Sequence, residues 1–88
     1  MRVMFYWWGF KVYIEDAIFQ ELVRALQQGT SAVQSFLNQQ GFGWLGPLVT
    51  ALVNWGADAL RGLESQCGTG ALALTVPWNV WNANAGCA

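Results

Sequence analysis

Residues 46–64, GPLVTALVNWGADALRGLE, limit the possible folds more than any other part of the chain. Leu48, Leu52, Trp55, Ala59 and Leu63 recur at spacings of three and four, and Val49, Val53, Gly56 and Leu60 form a neighbouring line. Together they cover about half the circumference of a helix, more than an ordinary surface helix needs. Pro47 suits the first helical position, where its missing N–H costs nothing. Asp58, Arg61 and Glu64 form one polar edge, with Asp58 and Arg61 at the spacing of an i,i+3 pair. At 1.5 Å per residue the stretch would be about 28 Å long, close to the hydrocarbon thickness of a bilayer. It is therefore either the central helix of a small domain or a helix that meets a membrane. Asn54 and Asp58 would need partners in lipid. The polar edge favours a central helix with Leu48, Leu52, Trp55 and Leu63 toward the core.

The flanking segments supply the partners for that helix. Residues 2–14, RVMFYWWGFKVYI, are aromatic and β-branched, which predicts a strand. Phe10, Val12 and Ile14 alternate with Lys11 and Tyr13, whereas both faces are apolar before Gly9, which marks a bulge or bend. Glu15 and Asp16 suit a helix N-terminus, and Ile18, Phe19, Leu22, Val23 and Leu26 follow at helical period as far as Gly29. Ser31 with Gln34 matches a capping box for a second helix bearing Ala32, Val33, Phe36 and Leu37. Leu72, Leu74 and Val76 predict a last strand, ended or confined to an edge by Pro77, after which Trp78, Val80 and Trp81 resume an extended segment. The expected fold is a single α+β domain over residues 1–88 in β-α-α-α-β order. Its N- and C-terminal strands pair in a small sheet against a layer of helices.

Charge narrows the function classes. The chain is 55% apolar and 10% charged, against about 25% charged in ordinary globular chains. Four basic and five acidic residues leave a net charge of −1 and no basic patch, so nucleic acid and polyanionic lipid lack an electrostatic basis. The absence of histidine and the presence of only two cysteines argue against a metal site. They also leave no activated nucleophile, so the expectation is a non-enzymatic protein without cofactor. Glu15 with Asp16, and Asp58 with Glu64, lack the geometry of a catalytic carboxylate pair. Cys67 and Cys87, 20 positions apart, predict a disulfide tying the end of the long helix to the C-terminus, worth about 3 kcal/mol. Such a bridge places the protein in an oxidising compartment and predicts a secreted chain. Arg2 and residues 3–10 imitate a signal peptide, but the apolar run is short, highly aromatic and without a small-residue cleavage site.

Six tryptophans are too many for the core of so small a domain. Pairing of the terminal strands would gather Tyr6, Trp7 and Trp8 with Trp78 and Trp81, while Trp44 lies in a glycine-rich turn, residues 41–46. Three uses are open: cross-strand packing that holds a thin sheet, an interfacial belt in contact with lipid, or a carbohydrate- or base-stacking platform, base stacking being disfavoured by the lack of a basic patch. The Phe5-Tyr6-Trp7-Trp8-Gly9 strand, the small-residue helical hairpin and the Cys67…Pro77-Trp78…Cys87 region resemble small secreted microbial toxins, either bacteriocin-like proteins or fungal α/β killer toxins. That resemblance implies a disulfide-stapled protein active against competing cells, with the membrane of the target cell as partner. The chain departs from the pattern in having one possible disulfide and no cationic surplus. The alternative is an interaction or self-assembly domain whose strand edges, with Tyr6, Trp7 and Trp8, bind a protein partner or a second copy.

Overall fold

The computed structural model describes residues 1–67, 71–80 and 82–87; Trp81, expected among the contact residues, lies outside them. The elements are β1 (Arg2–Tyr6), β2 (Gly9–Ile14), α1 (Asp16–Gln28), α2 (Thr30–Gln39), α3 (Gly46–Ser65), β3 (Leu72–Pro77) and β4 (Asn84–Cys87). The β-α-α-α-β order holds, and each β unit is a pair of strands. The four strands form one antiparallel sheet in the order β1-β2-β3-β4. N- and C-terminal strands meet where β2 pairs with β3, from Gly9 opposite Pro77 to Ile14 opposite Leu72.

The single N-terminal strand expected from sequence is thus a hairpin. Tyr6 pairs with Gly9, which leaves Trp7 and Trp8 as a two-residue loop. Loops of this length favour Asn-Gly or similar pairs because the preferred turn needs positive φ. Neither tryptophan has positive φ, so the usual sequence signal is missing. The turn is held from outside instead. The Trp78 backbone N–H donates to the Trp8 carbonyl at 3.1 Å, and the Trp78 indole N–H reaches the Tyr6 and Trp7 carbonyls at 3.2 and 3.1 Å. Gly9 completes the joint. A Cβ there would lie 2.7 Å from Pro77 Cα and would overlap the Val76 carbonyl.

Helices cover one face of the sheet. Phe10, Val12, Ile14, Leu72, Leu74 and Val76 point into the core with Phe19, Leu22, Val33, Leu37, Leu48, Leu52 and Leu60. No polar or charged side chain is buried among the described residues. The other face carries Arg2, Met4, Tyr6, Lys11, Tyr13 and Thr75 and is open, with Arg2 over the Tyr13 ring at 5.2 Å. α1 begins without a side-chain cap. Glu15 meets the Met1 amino group at 3.4 Å, the one salt bridge among the described residues. Gly29, at φ 115, ends α1 and caps α2. The capping box expected from Ser31 and Gln34 does not form, because Thr30 is already helical and Gln34 donates to the Gly43 carbonyl at 2.6 Å. α2 closes at Gly41, φ 87, with Phe42 N–H on the Leu37 carbonyl and Gly41 N–H on the Asn38 carbonyl, a Schellman arrangement.

α3 is the central helix, but it is broken. Gly56 has φ 79 and ψ 163, a kink that divides the predicted continuous helix. Glycine reaches this conformation without a Cβ penalty. Leu48, Val49, Ala51, Leu52 and Leu60 are buried, Trp55 and Leu63 are half-buried, and Val53 is exposed. The wide apolar band therefore faces several neighbours rather than one. Asp58 and Arg61 form no salt bridge. The Cys67–Cys87 disulfide then ties the end of α3 to β4, with Cα atoms 5.4 Å apart.

Candidate functional site

Three chain segments converge at the end of the sheet where β1 turns into β2. They are the hairpin tip (5–10), the connection from α2 to α3 (40–47) and the residues leaving β3 (76–80). None of them contains a charged side chain. The five acidic residues lie elsewhere: Glu15, Asp16 and Glu21 at or within α1, Asp58 and Glu64 in the second half of α3.

On the helix side of this end, four rings form a connected stack. Phe5 lies 5.6 Å from Trp44 with planes 26° apart, and 6.3 Å from Trp78 with planes 7° apart. Phe10 joins Phe5 at 6.4 Å and Trp78 at 5.3 Å in tilted geometry. Phe10 is fully buried and roots the stack in the core. Its outer members are open: Phe5 is 47% exposed, Trp44 66% and Trp78 43%. Trp7, at the tip of the hairpin, is 92% exposed. On the open face of the sheet, Tyr6 and Trp8 stack at 5.1 Å and both are half-buried, with the Lys11 ammonium 5.9 Å from the Tyr6 ring.

Two of the exposed rings, Trp44 and Trp78, are held by indole bonds to the backbone. Trp78 is fastened to the hairpin tip by the three bonds described above. Trp44 donates its indole N–H to the Gly41 carbonyl at 3.1 Å. The turn beneath it is fixed by Gln34 on Gly43. Gly43 sits so close to the Asn38 side chain that a Cβ would overlap it. Trp44 thus both anchors its turn and stands exposed.

Of the aromatic residues expected to share a surface, Tyr6, Trp7, Trp8, Trp44 and Trp78 lie at one end, and Trp81 is outside the described residues. The sequence pattern gives no special place to Phe5. It is the hub of the stack, touching Trp44, Trp78 and Phe10. Its alternation with Tyr6 is the available signal, because it puts Phe5 on the face opposite the Tyr6 and Trp8 pair. Trp55 lies in α3 and is not part of the stack. No group of three or more metal-ligating side chains occurs among the described residues. No helix among them is long and apolar enough to cross a membrane. The disulfide, in a domain of this size, is consistent with an extracellular protein. Compared with protein-family models, curated proteins and solved structures, the chain matches none.

Proposed function

We propose that this is a secreted, membrane-active protein of the toxin or antimicrobial kind that engages the lipid interface through its aromatic end. The observation that carries this reading is the joint exposure of Phe5, Trp7, Trp44 and Trp78 on segments that contain no charged side chain. Indole rings favour the headgroup level, where an apolar body and a polar N–H are both accommodated. Burying a large apolar side chain contributes about 1.5–3 kcal/mol. Several partly exposed rings acting together therefore supply useful membrane affinity. Because the contacting segments are uncharged, the attraction is apolar and needs neither anionic lipid nor low salt.

The mechanism begins at this rim rather than with helix insertion. Leu48, Leu52 and Leu60 of α3 are already in the core, and Gly56 interrupts the helix between them. Insertion of the rings would perturb headgroup packing, and the membrane of a competing cell is the target implied by the resemblance to small microbial toxins. Flotation with phosphatidylcholine vesicles, read together with tryptophan emission and dye leakage, tests the proposal. Binding with a blue shift, unchanged by added salt, and release of dye is the expected result. Absence of binding to neutral vesicles sinks the lipid reading, and binding without leakage sinks the toxin reading.

A second reading, homotypic assembly, draws on the outer edge of β1, which among the described residues pairs only with β2 and exposes Met4 and Phe5. Sedimentation of the protein in dilute buffer separates the two. A concentration-dependent dimer lost on placing a proline in β1 favours assembly, and a monomer at all concentrations excludes it.

A further inference from the structure

A second surface, formed between α3 and the β3–β4 connection, has a chemistry unlike that of the aromatic end. It is an open groove of about 250 Å³ lined by Ala51, Asn54, Trp55, Val80, Asn82 and Ala83. Trp55 is half-buried and offers one wall. The Asn54 and Asn82 side-chain amides and the Trp55 indole N–H have no hydrogen-bond partner among the described residues. None of the described lining residues is charged.

The backbone beside the groove is unusual. Val80 and Asn82 are the two non-glycine residues of positive φ among the described residues, at 56° and 60°. Asparagine tolerates that region, but a β-branched residue there is a genuine outlier. Strain of this kind persists where the surroundings fix it. Here it holds Val80 and Asn82 beside α3, near the kink at Gly56.

From this geometry we infer that the groove is a subsite for a neutral pyranose sugar. An ion finds no counter-charge in it. A purely apolar ligand would leave two amides unpaired, at a cost for each desolvated group. A sugar ring meets both requirements. Its flat C–H face covers the indole, and its hydroxyls donate to and accept from the carboxamides, each of which has two donor hydrogens and an acceptor oxygen. The volume lies just under the range typical of drug-sized ligands, which fits a single ring. An open groove of this size gives a dissociation constant on the order of millimolar. The subsite stands apart from the lipid reading, because none of its lining residues is one of the rings of the aromatic stack.

Titration of ¹⁵N-labelled protein with methyl glucoside, methyl mannoside, methyl galactoside and N-acetylglucosamine, in the absence of lipid, tests the assignment. Sorbitol, which has hydroxyls but no ring face, is the control. The expected result is a saturable shift of the Trp55 indole N–H and the Asn54 and Asn82 amides with at least one pyranose and none with sorbitol. Asn54 is exposed, so Asn54→Ala keeps the fold and weakens binding about three- to tenfold. Trp55→Phe retains a wall and reduces binding, which guards against a conclusion resting on one variant. Absence of a saturable shift with all four sugars overturns the assignment. So do shifts that sorbitol reproduces or that Asn54→Ala leaves unchanged.

Discussion

Replacing Gly9 by alanine should loosen the joint on which the aromatic end depends. A Cβ at Gly9 would lie 2.7 Å from Pro77 Cα and 3.0 Å from the Val76 carbonyl carbon, and would overlap the carbonyl oxygen. These are backbone atoms, so no side chain can rotate out of the way. Gly9 is paired with Pro77 in the register, and the strands must part to admit the methyl group. Overpacking of this kind costs about 1–3 kcal/mol. Loss of unfolded-state freedom returns about 0.4–1 kcal/mol. The net destabilisation is about 1–2 kcal/mol, out of roughly 4–13 kcal/mol for a domain of 88 residues. Thermal unfolding should then fall by about 5–15 °C. Gly62 provides the control of opposite sign. It is a helical position in α3 where an added methyl group would meet nothing within 4 Å, so Gly62→Ala should stabilise the protein by about 0.5–1 kcal/mol. Both are read by circular dichroism melts of the disulfide-bonded protein. A Gly9→Ala melting temperature at or above wild type refutes the close approach of β2 to β3.

Trp7→Ser should lower partition into phosphatidylcholine vesicles about ten- to a hundredfold, since a 92% exposed ring loses about 1.5–3 kcal/mol of burial. Its melting temperature should stay near wild type, as for surface substitutions generally, and vesicle flotation beside a thermal melt separates the two effects. Trp78→Phe should do the reverse. It keeps a ring beside Phe5 and Phe10 but removes the indole donor on Tyr6 and Trp7, costing about 0.5–1.5 kcal/mol in a denaturant titration. Reduction of Cys67–Cys87, or replacement of both by serine, should cost about 2–4 kcal/mol, measured by urea unfolding with and without reductant.

The elements that could be read from the sequence are those with a local signal. Alternation at Phe10, Val12 and Ile14 and at Leu72, Leu74 and Val76 marked the two central strands, and each of these residues is buried. Gly29 marked the end of α1, where its φ of 115 now stands. The two cysteines marked their own bridge. What escaped had no local signal. The Trp7-Trp8 loop contains no glycine or asparagine, because its conformation is secured by Trp78, from the far end of the chain. Asn84–Cys87 carries two small residues and no β-branched ones, and becomes a strand only beside β3. The Gly56 break was hidden by an apolar period that continues across it, since Leu52 and Leu60 are both buried on either side. At the aromatic end, the tryptophans were visible as residue types. Their convergence with Phe5 and Trp44 depended on the hairpin and on the α2–α3 turn, neither of which the pattern of apolar residues specifies.

The orientation of the protein on a bilayer tests the central claim most directly. Indole N–H resonances can be followed on neutral vesicles or bicelles that contain spin-labelled lipid. If the aromatic end is the lipid contact, the Trp7 and Trp44 signals broaden first and strongly, Trp78 follows, and Trp55 in α3 is spared. Equal broadening of all these signals, or broadening of Trp55 ahead of Trp7, contradicts the proposed orientation and with it the role assigned to the uncharged rim.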